Sequence, residues 1–317
     1  MYDHLPVVHE MSDRPPGFIA PNLSPQGLRL EPRELAGGVY ALMANQVPKD
    51  NNGLIVGRDA ALVVDAGITP AVGRHIQEVA AGLTGKPVRY LVNTTYHGDH
   101  TFGNTAFGRD VTLFSSRINK AAMTDLDAEK RLRSESMYGD DSLDTVVAWR
   151  RPDVVVDRFC EIDLGGRVVH LWHLGPGNGS GDTVVHVPDA KIAFTGNFVL
   201  PYGVAPMALI GDPVGYARSL RTMRALLDVD TIVPGHGFLG PAEPGVSAWI
   251  HYLESMAAAV DRGRREGVPV EAMYDELPTW GIEPVPDAPE PYRALVRSLH
   301  RMNILITYRW LEGRPAC

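Results

Sequence analysis

The chain has 317 residues, 44% of them hydrophobic and 21% charged, enough to bury a sizeable core as two domains or one large α/β unit. A formal net charge of -8 gives no electrostatic footprint for nucleic acid, whose binders need clustered Lys and Arg to displace counterions. No apolar stretch is long enough to span a bilayer, the first residues carry no secretory pattern, and the two cysteines, Cys160 and Cys317, lie far apart; these features point to a cytoplasmic protein with no structural disulfide.

From Met1 to Arg33 the chain carries Pro6, Pro15, Pro16, Pro21, Pro25 and Pro32, which fix φ and remove backbone donors, so residues 1–33 read as an extended arm packing on the body or on a partner. Short β-rich segments follow at Gly38 to Leu42, at Gly53 to Gly57 after an Asn51-Asn52 turn, and at Ala60 to Asp65. Thr69 to Leu83 places Val72, Ile76, Val79 and Leu83 at helical spacing behind a Thr69-Pro70 start, and Val88 to Val92 resumes a strand. Ser116 to Gly139 is charge-rich and favours helix. Strand signals return at Val154 to Val156, Arg167 to Leu171, Thr183 to Val187 and Ile192 to Phe194. Gly211 to Leu227 reads as a helix, Thr231 to Val233 as a short strand, and the remainder from Pro244 as helices interrupted at Pro284 to Pro291. Two β-rich halves with helices outside predict an αββα sandwich. The expected layout is an arm at 1–33, an αββα domain at 34–243, and C-terminal helices at 244–317 packed on that domain.

The chemistry concentrates in Asn93-Thr94-Thr95-Tyr96-His97-Gly98-Asp99-His100, directly after the strand ending at Val92. A loop at a strand end lets a rigid scaffold present several side chains at one point, and these supply two imidazole nitrogens and a carboxylate. Far downstream, Val233-Pro234-Gly235-His236-Gly237 again sets a His in a glycine-flanked loop after a short apolar strand. Imidazole and carboxylate donors with open positions suit catalytic zinc as well as Fe(II) or Mn(II). His170 and His173 flank Trp172 and read as packing or surface positions, while His4, His9, His75, His186, His251 and His300 read as structural or solvated. The glycines at 175, 177, 179 and 181 open no helix with a Lys-Ser/Thr ending, so they read as backbone geometry and not as a phosphate cradle.

These signals, in this order, resemble the metallo-β-lactamase superfamily: the strand ending at Asp65, the ligand loop, a GPGxxxGD-like loop at Gly175 to Asp182, a TGD-like turn at Thr195 to Asn197, and the loop at His236. The resemblance spans Leu35 to His236 and implies the αββα fold and loops that converge on two metals, usually zinc. The sequence departs from that pattern at three ligand positions, which hold Thr95, Asn178 and Asn197. One site then keeps only His97, and the other keeps Asp99, His100 and His236, so the resemblance implies one ion, zinc by preference, with Asp65 orienting a ligand His. Catalytic roles are assigned to Asp99, His97 and Asn197, and substrate contacts to Tyr96 and Asn178.

The implied activity is metal-dependent hydrolysis of a small-molecule ester, thioester or lactone. The segments Val204 to Asp212 and Leu299 to Asn303 are also similar to the branch that includes aromatic polyketide cyclase/thioesterases, which implies ring closure or elimination as the alternative. A non-catalytic relic of the fold is the third reading, favoured by the three lost ligands. Pocket walls are expected from Ser134 to Trp149 and from the C-terminal helices; the residues carry no signal for oligomeric state.

Overall fold

Alternation of side chains along the strands sets the architecture. A computed structural model describes residues 7–200, 205–283 and 288–313; His4, Pro6, Val204, Pro284, Pro286 and Cys317 lie outside the described residues. The first sheet contains β1 (Leu30–Ala36), β2 (Val39–Ala44), β3 (Asn52–Val56), β4 (Ala61–Val64), β5 (Val88–Val92), β6 (Thr112–Ser116) and β7 (Val154–Val156), in that spatial order. Pairing is antiparallel from β1 to β4 and parallel from β4 to β7. The second sheet runs from β8 (Phe159–Asp163) through β9 (Val168–Trp172), β10 (Val184–Val187), β11 (Ile192–Gly196) and β12 (Thr231–Pro234) to the short β13 (Gly240–Pro241).

Successive residues of a strand face opposite sides of its sheet. Thus Leu62 and Val64 of β4, with Val185 and Val187 of β10 and Phe194 of β11, fill a core between the sheets. Ala61 and Val63 instead face outward onto α1 (Pro70–Leu83), and Val184 and Ala193 face a third layer of core. That outer layer is covered by α5 (Pro213–Leu226), α6 (Gly245–Arg265), α7 (Val270–Glu276) and α8 (Glu290–Leu311). Helices outside two stacked sheets make the expected αββα sandwich with extra C-terminal helices.

α1 starts as its sequence dictates: Thr69 accepts a hydrogen bond from the Val72 amide, Pro70 opens the first turn, and Val72, Ile76 and Ala80 are buried. The charge-rich stretch after β6 divides at Met123 to Asp125 into α3 (Arg117–Ala122) and α4 (Leu126–Ser134), each capped by its own Ser116 or Asp125. Between β5 and β6 lies the single turn α2 (Gly98–Thr101).

The arm departs from its sequence reading at its end. β1 begins at Leu30, so Pro32 and Arg33 are strand residues; β1 is an edge strand, where a proline without an N–H costs no ladder hydrogen bond on its open side. Before Leu30 the arm crosses both halves of the sandwich. The Met11 amide donates to Leu209 O, the Ile19 amide to Ser298 Oγ and the Leu23 amide to Ser136 O. No helix among the described residues is long and apolar enough to cross a membrane.

Candidate metal centre

The ligand loop is built on β4 and β5, which lie side by side and end together. Asp65, at the end of β4, holds a left-handed backbone (φ 61°) and turns its carboxylate inward. It accepts hydrogen bonds from the Thr94 amide at 2.8 Å, the Thr94 hydroxyl at 2.7 Å and His100 Nδ1 at 2.9 Å. With its Nδ1 proton held by Asp65, the His100 ring would present Nε2 to a cation that displaces the proton there. The Asn93 side-chain amide donates to His100 O and exchanges two hydrogen bonds with Asn104, which ties α2 and the turn after it to the end of β5.

His236 reaches the same point from the second sheet. Its Nδ1 donates to Pro48 O at 2.8 Å, leaving Nε2 3.3 Å from Asp99 Oδ2. The Asn51 side chain donates to Pro234 O and Gly237 O, tying the His236 turn to the segment before β3. A methyl group on Gly235 would lie 2.7 Å from His100 Cε1, so the close approach of this turn to the ligand loop requires glycine. Asp99 and His100 thus lie beside His236, which comes from far down the chain. Asp50 joins them: one ligand atom from each of the four side chains lies within 4.8 Å of all the others.

The donor chemistry of this cluster fits a divalent cation. Asp99 Oδ2 lies 3.5 Å from His100 Nε2 and 3.3 Å from His236 Nε2, and His100 Nε2 and Asp50 Oδ1 are buried without a hydrogen-bond partner among the described residues. Buried donors left unpartnered beside a carboxylate are costly unless a cation compensates them. The electrostatics agree. Burial opposes charge on His100, but the carboxylates of Asp99 and Asp65 outweigh it and lift its pKa to about 10. Burial likewise raises the Asp50 pKa, and the neighbouring Asp99 carboxylate raises it further. The pocket thus demands positive charge.

His97 stands apart from the four. Its Nδ1 lies 3.4 Å from Asn197 Nδ2 and its Nε2 lies 3.9 Å from Glu10 Oε2. Burial, reinforced by the Arg133 guanidinium, lowers its pKa to about 4, so the ring is neutral. Arg133 is itself buried, in contact with Glu10, with Nε 3.0 Å from Glu129 Oε1 and Nη1 3.7 Å from Asp99 Oδ1. Asn178 donates to Met207 O and Tyr96 accepts from the Glu10 amide at 3.0 Å. Both are buried, and neither lines the cavity that opens beside the cluster. His97, Asp99, Asn197 and His236 do line it, with Phe18 and Leu23 of the arm and Leu295 and Leu299 of α8 among its apolar walls.

The family profile described as Metallo-beta-lactamase superfamily matches residues 50–236, more than half of the chain. The chain belongs to the metallo-β-lactamase superfamily. A curated relative, 2,4-dinitroanisole O-demethylase subunit alpha of Nocardioides sp. (strain JS1661), is 24% identical over 271 residues, covering 84% of this chain and 73% of that protein. Among solved structures, the stereoselective inverting sec-alkylsulfatase Pisa1 from Pseudomonas sp. superposes with a TM-score of 0.68 at 13% identity over 90% of this chain. The chain spans 50% of that sulfatase's length. A metallo-β-lactamase from Erythrobacter litoralis superposes with a TM-score of 0.55 at 20% identity, over 71% of this chain and 96% of its own. At these identities the structural likenesses speak for fold alone.

Sequence reading did not single out four residues around the centre. Asp50 sits in the polar run Lys49-Asp50-Asn51-Asn52, where only a turn was legible; its tie to His236 is an isolated bridge between segments 186 residues apart in the chain. Glu10 belongs to the arm, and Glu129 and Arg133 belong to a charged helix whose sequence looks like any solvated face.

Proposed function

We propose that this chain is a metal-dependent hydrolase of a small, largely apolar ester, thioester or lactone, using one divalent cation held by Asp99, His100 and His236. The observation that carries this reading is the gathering of ligand atoms from Asp50, Asp99, His100 and His236 within 4.8 Å of one another, with Asp99 and His236 at the wall of a cavity with apolar sides. When bound, such an ion supplies Lewis acidity towards a carbonyl or a water. Asp65 keeps the His100 ring in one tautomer, and Pro48 O does the same for His236. Asn197, whose Oδ1 is buried without a partner, offers a neutral acceptor beside His97 to orient a water or a substrate hydroxyl. The arm and α8 shed water from the apolar part of the substrate, which strengthens polar contacts at the reacting end. Zinc is the metal this reading favours, on the superfamily's habit.

The relatives widen the panel of substrates to try. One is by name an aryl methyl ether demethylase subunit and another a sec-alkylsulfatase, so activated aryl ethers and alkyl sulfates belong beside aryl esters, thioesters and lactones. The expected result is turnover of an ester-type substrate by zinc-, iron- or manganese-reconstituted protein, lost in chelator and in His100→Ala. Ester turnover that survives both would refute the proposal.

A second reading, a polyketide-type cyclase or lyase, is favoured by one observation. The two segments that suggested it pack against each other at the cavity: the Ala208 amide donates to Asn303 Oδ1 at 2.9 Å, and Met207, Leu209, Leu299 and Met302 all line the wall. Incorporation of oxygen from labelled water into product marks hydrolysis; ring closure or elimination without incorporation marks the second reading.

A further inference from the structure

Beside the metal centre lies a second set of donors with the chemistry of a cation site. His97 Nε2 is buried and unpartnered, Glu10 Oε2 lies 3.9 Å from it, and Asp99 Oδ1 and Asn197 Oδ1 are also buried without hydrogen-bond partners. The cation found among these groups is a side chain. The Arg133 guanidinium contacts Glu10 through the same Oε2 that faces His97, and it lies 3.7 Å from the unpartnered oxygen of Asp99. It is held from behind as well: Nε lies 3.0 Å from Glu129 Oε1, an oxygen that also accepts the Gly98 amide at 2.8 Å.

We propose that Arg133 serves as a built-in second cation: its guanidinium occupies the charge position that a second divalent ion would take on His97, Glu10 and Asp99, and so fixes the centre at one metal. The inference rests on the reading that an ion binds at Asp99, His100 and His236. Two physical points carry it. A guanidinium stays protonated at any working pH, so unlike a metal it can be neither chelated nor exchanged. Its ties to carboxylates of the arm and of α4 leave it paired, so it acts as resident positive charge and not as a free anion receptor. Asp99 thus presents Oδ2 to His236 and Oδ1 to Arg133, so an ion held by Asp99, His100 and His236 would share this carboxylate with the guanidinium. The arm also acquires a role here, because Glu10 locks Arg133 in place.

Equilibrium dialysis against Zn(II), with elemental analysis of the protein, tests the proposal. The wild-type chain is expected to hold one ion and Arg133→Gln two; the second ion of Arg133→Gln is expected to vanish when His97→Ala is added. Arg133→Lys, which keeps the charge, is expected to stay at one. Circular dichroism and thermal melting establish that each variant is folded. Should Arg133→Gln not fold, Mn(II)-loaded wild type gives a second readout: an uncoupled mononuclear electron paramagnetic resonance spectrum is expected. Two ions in the wild type, a spin-coupled Mn(II) pair, or a folded Arg133→Gln that still holds one would each overturn the role of Arg133 and leave the metal centre standing. No ion in the wild type would overturn both.

Discussion

Asp65→Asn isolates the part of the centre that never touches the ion. The Asp65 carboxylate accepts from the Thr94 amide, the Thr94 hydroxyl and His100 Nδ1, at 2.7 to 2.9 Å. An amide in its place keeps one acceptor oxygen and turns a donor towards either the Thr94 hydroxyl or the imidazole. If it meets the ring, His100 is driven to carry its proton on Nε2, the nitrogen the ion needs. The left-handed backbone at 65 suits Asn as well as Asp, so the substitution adds no backbone strain. Losing an orienting carboxylate costs about 10- to 100-fold in metal affinity, or about 1.4 to 2.7 kcal/mol. The lost charge-assisted hydrogen bonds should lower folding stability by about 1.5 to 3 kcal/mol. Competition with a chromogenic chelator measures zinc affinity, and urea unfolding in chelator measures stability. A folded Asp65→Asn that binds zinc as tightly as wild type would refute the orienting role.

Further substitutions test other links in the account. Asp50→Asn should weaken zinc binding about tenfold, since the amide is a poorer donor than a carboxylate; unchanged affinity in the chelator competition would remove Asp50 from the centre. Gly103→Ala places a methyl carbon 1.9 Å from Ala66 O and 3.0 Å from Thr69 O, both backbone, and should cost about 3 kcal/mol in urea unfolding; a loss within about 0.5 kcal/mol would contradict the close approach. Leu295→Trp should fill the cavity and raise KM for whichever ester is turned over, with zinc affinity unchanged; an unchanged KM would move the substrate elsewhere. Burial lowers the pKa of His300 and so favours its neutral form, against the opposing hydrogen bond to Leu277 O. Its contribution is therefore present above the unfolded value of about 6.5 and is lost as pH falls through that range. The stability gap between wild type and His300→Gln should narrow from about pH 8 to pH 5, and a widening gap in pH-dependent urea midpoints would reverse the sign.

What was legible in the sequence followed local rules. The α1 start at Thr69-Pro70, the short β-rich segments such as Ala60 to Asp65 and the two loops after strands each depend on residues within a few positions of one another, and each appears in the structure. The meeting of His236 with Asp99 and His100 was legible because both loops end strands, and strand ends share an edge. Asp50, Glu10, Glu129 and Arg133 were not legible, because their roles arise from contacts across the fold. Asp50 depends on an isolated bridge to His236, and Glu10 is carried to His97 by an arm with no periodic pattern. Arg133 is buried only because carboxylates from the arm, from its own helix and from the ligand loop surround it. Length and composition cannot foretell such pairing. The whole of β1 went unread because Pro32 argues against a strand except at a sheet edge.

The account depends most on where a cation sits. A crystal structure of zinc-soaked protein, with anomalous data collected at the zinc edge, addresses this directly. The account predicts one peak per chain, about 2.0 to 2.2 Å from His100 Nε2, His236 Nε2 and an Asp99 oxygen. A peak bound elsewhere, or no peak in protein saturated with zinc, would contradict it.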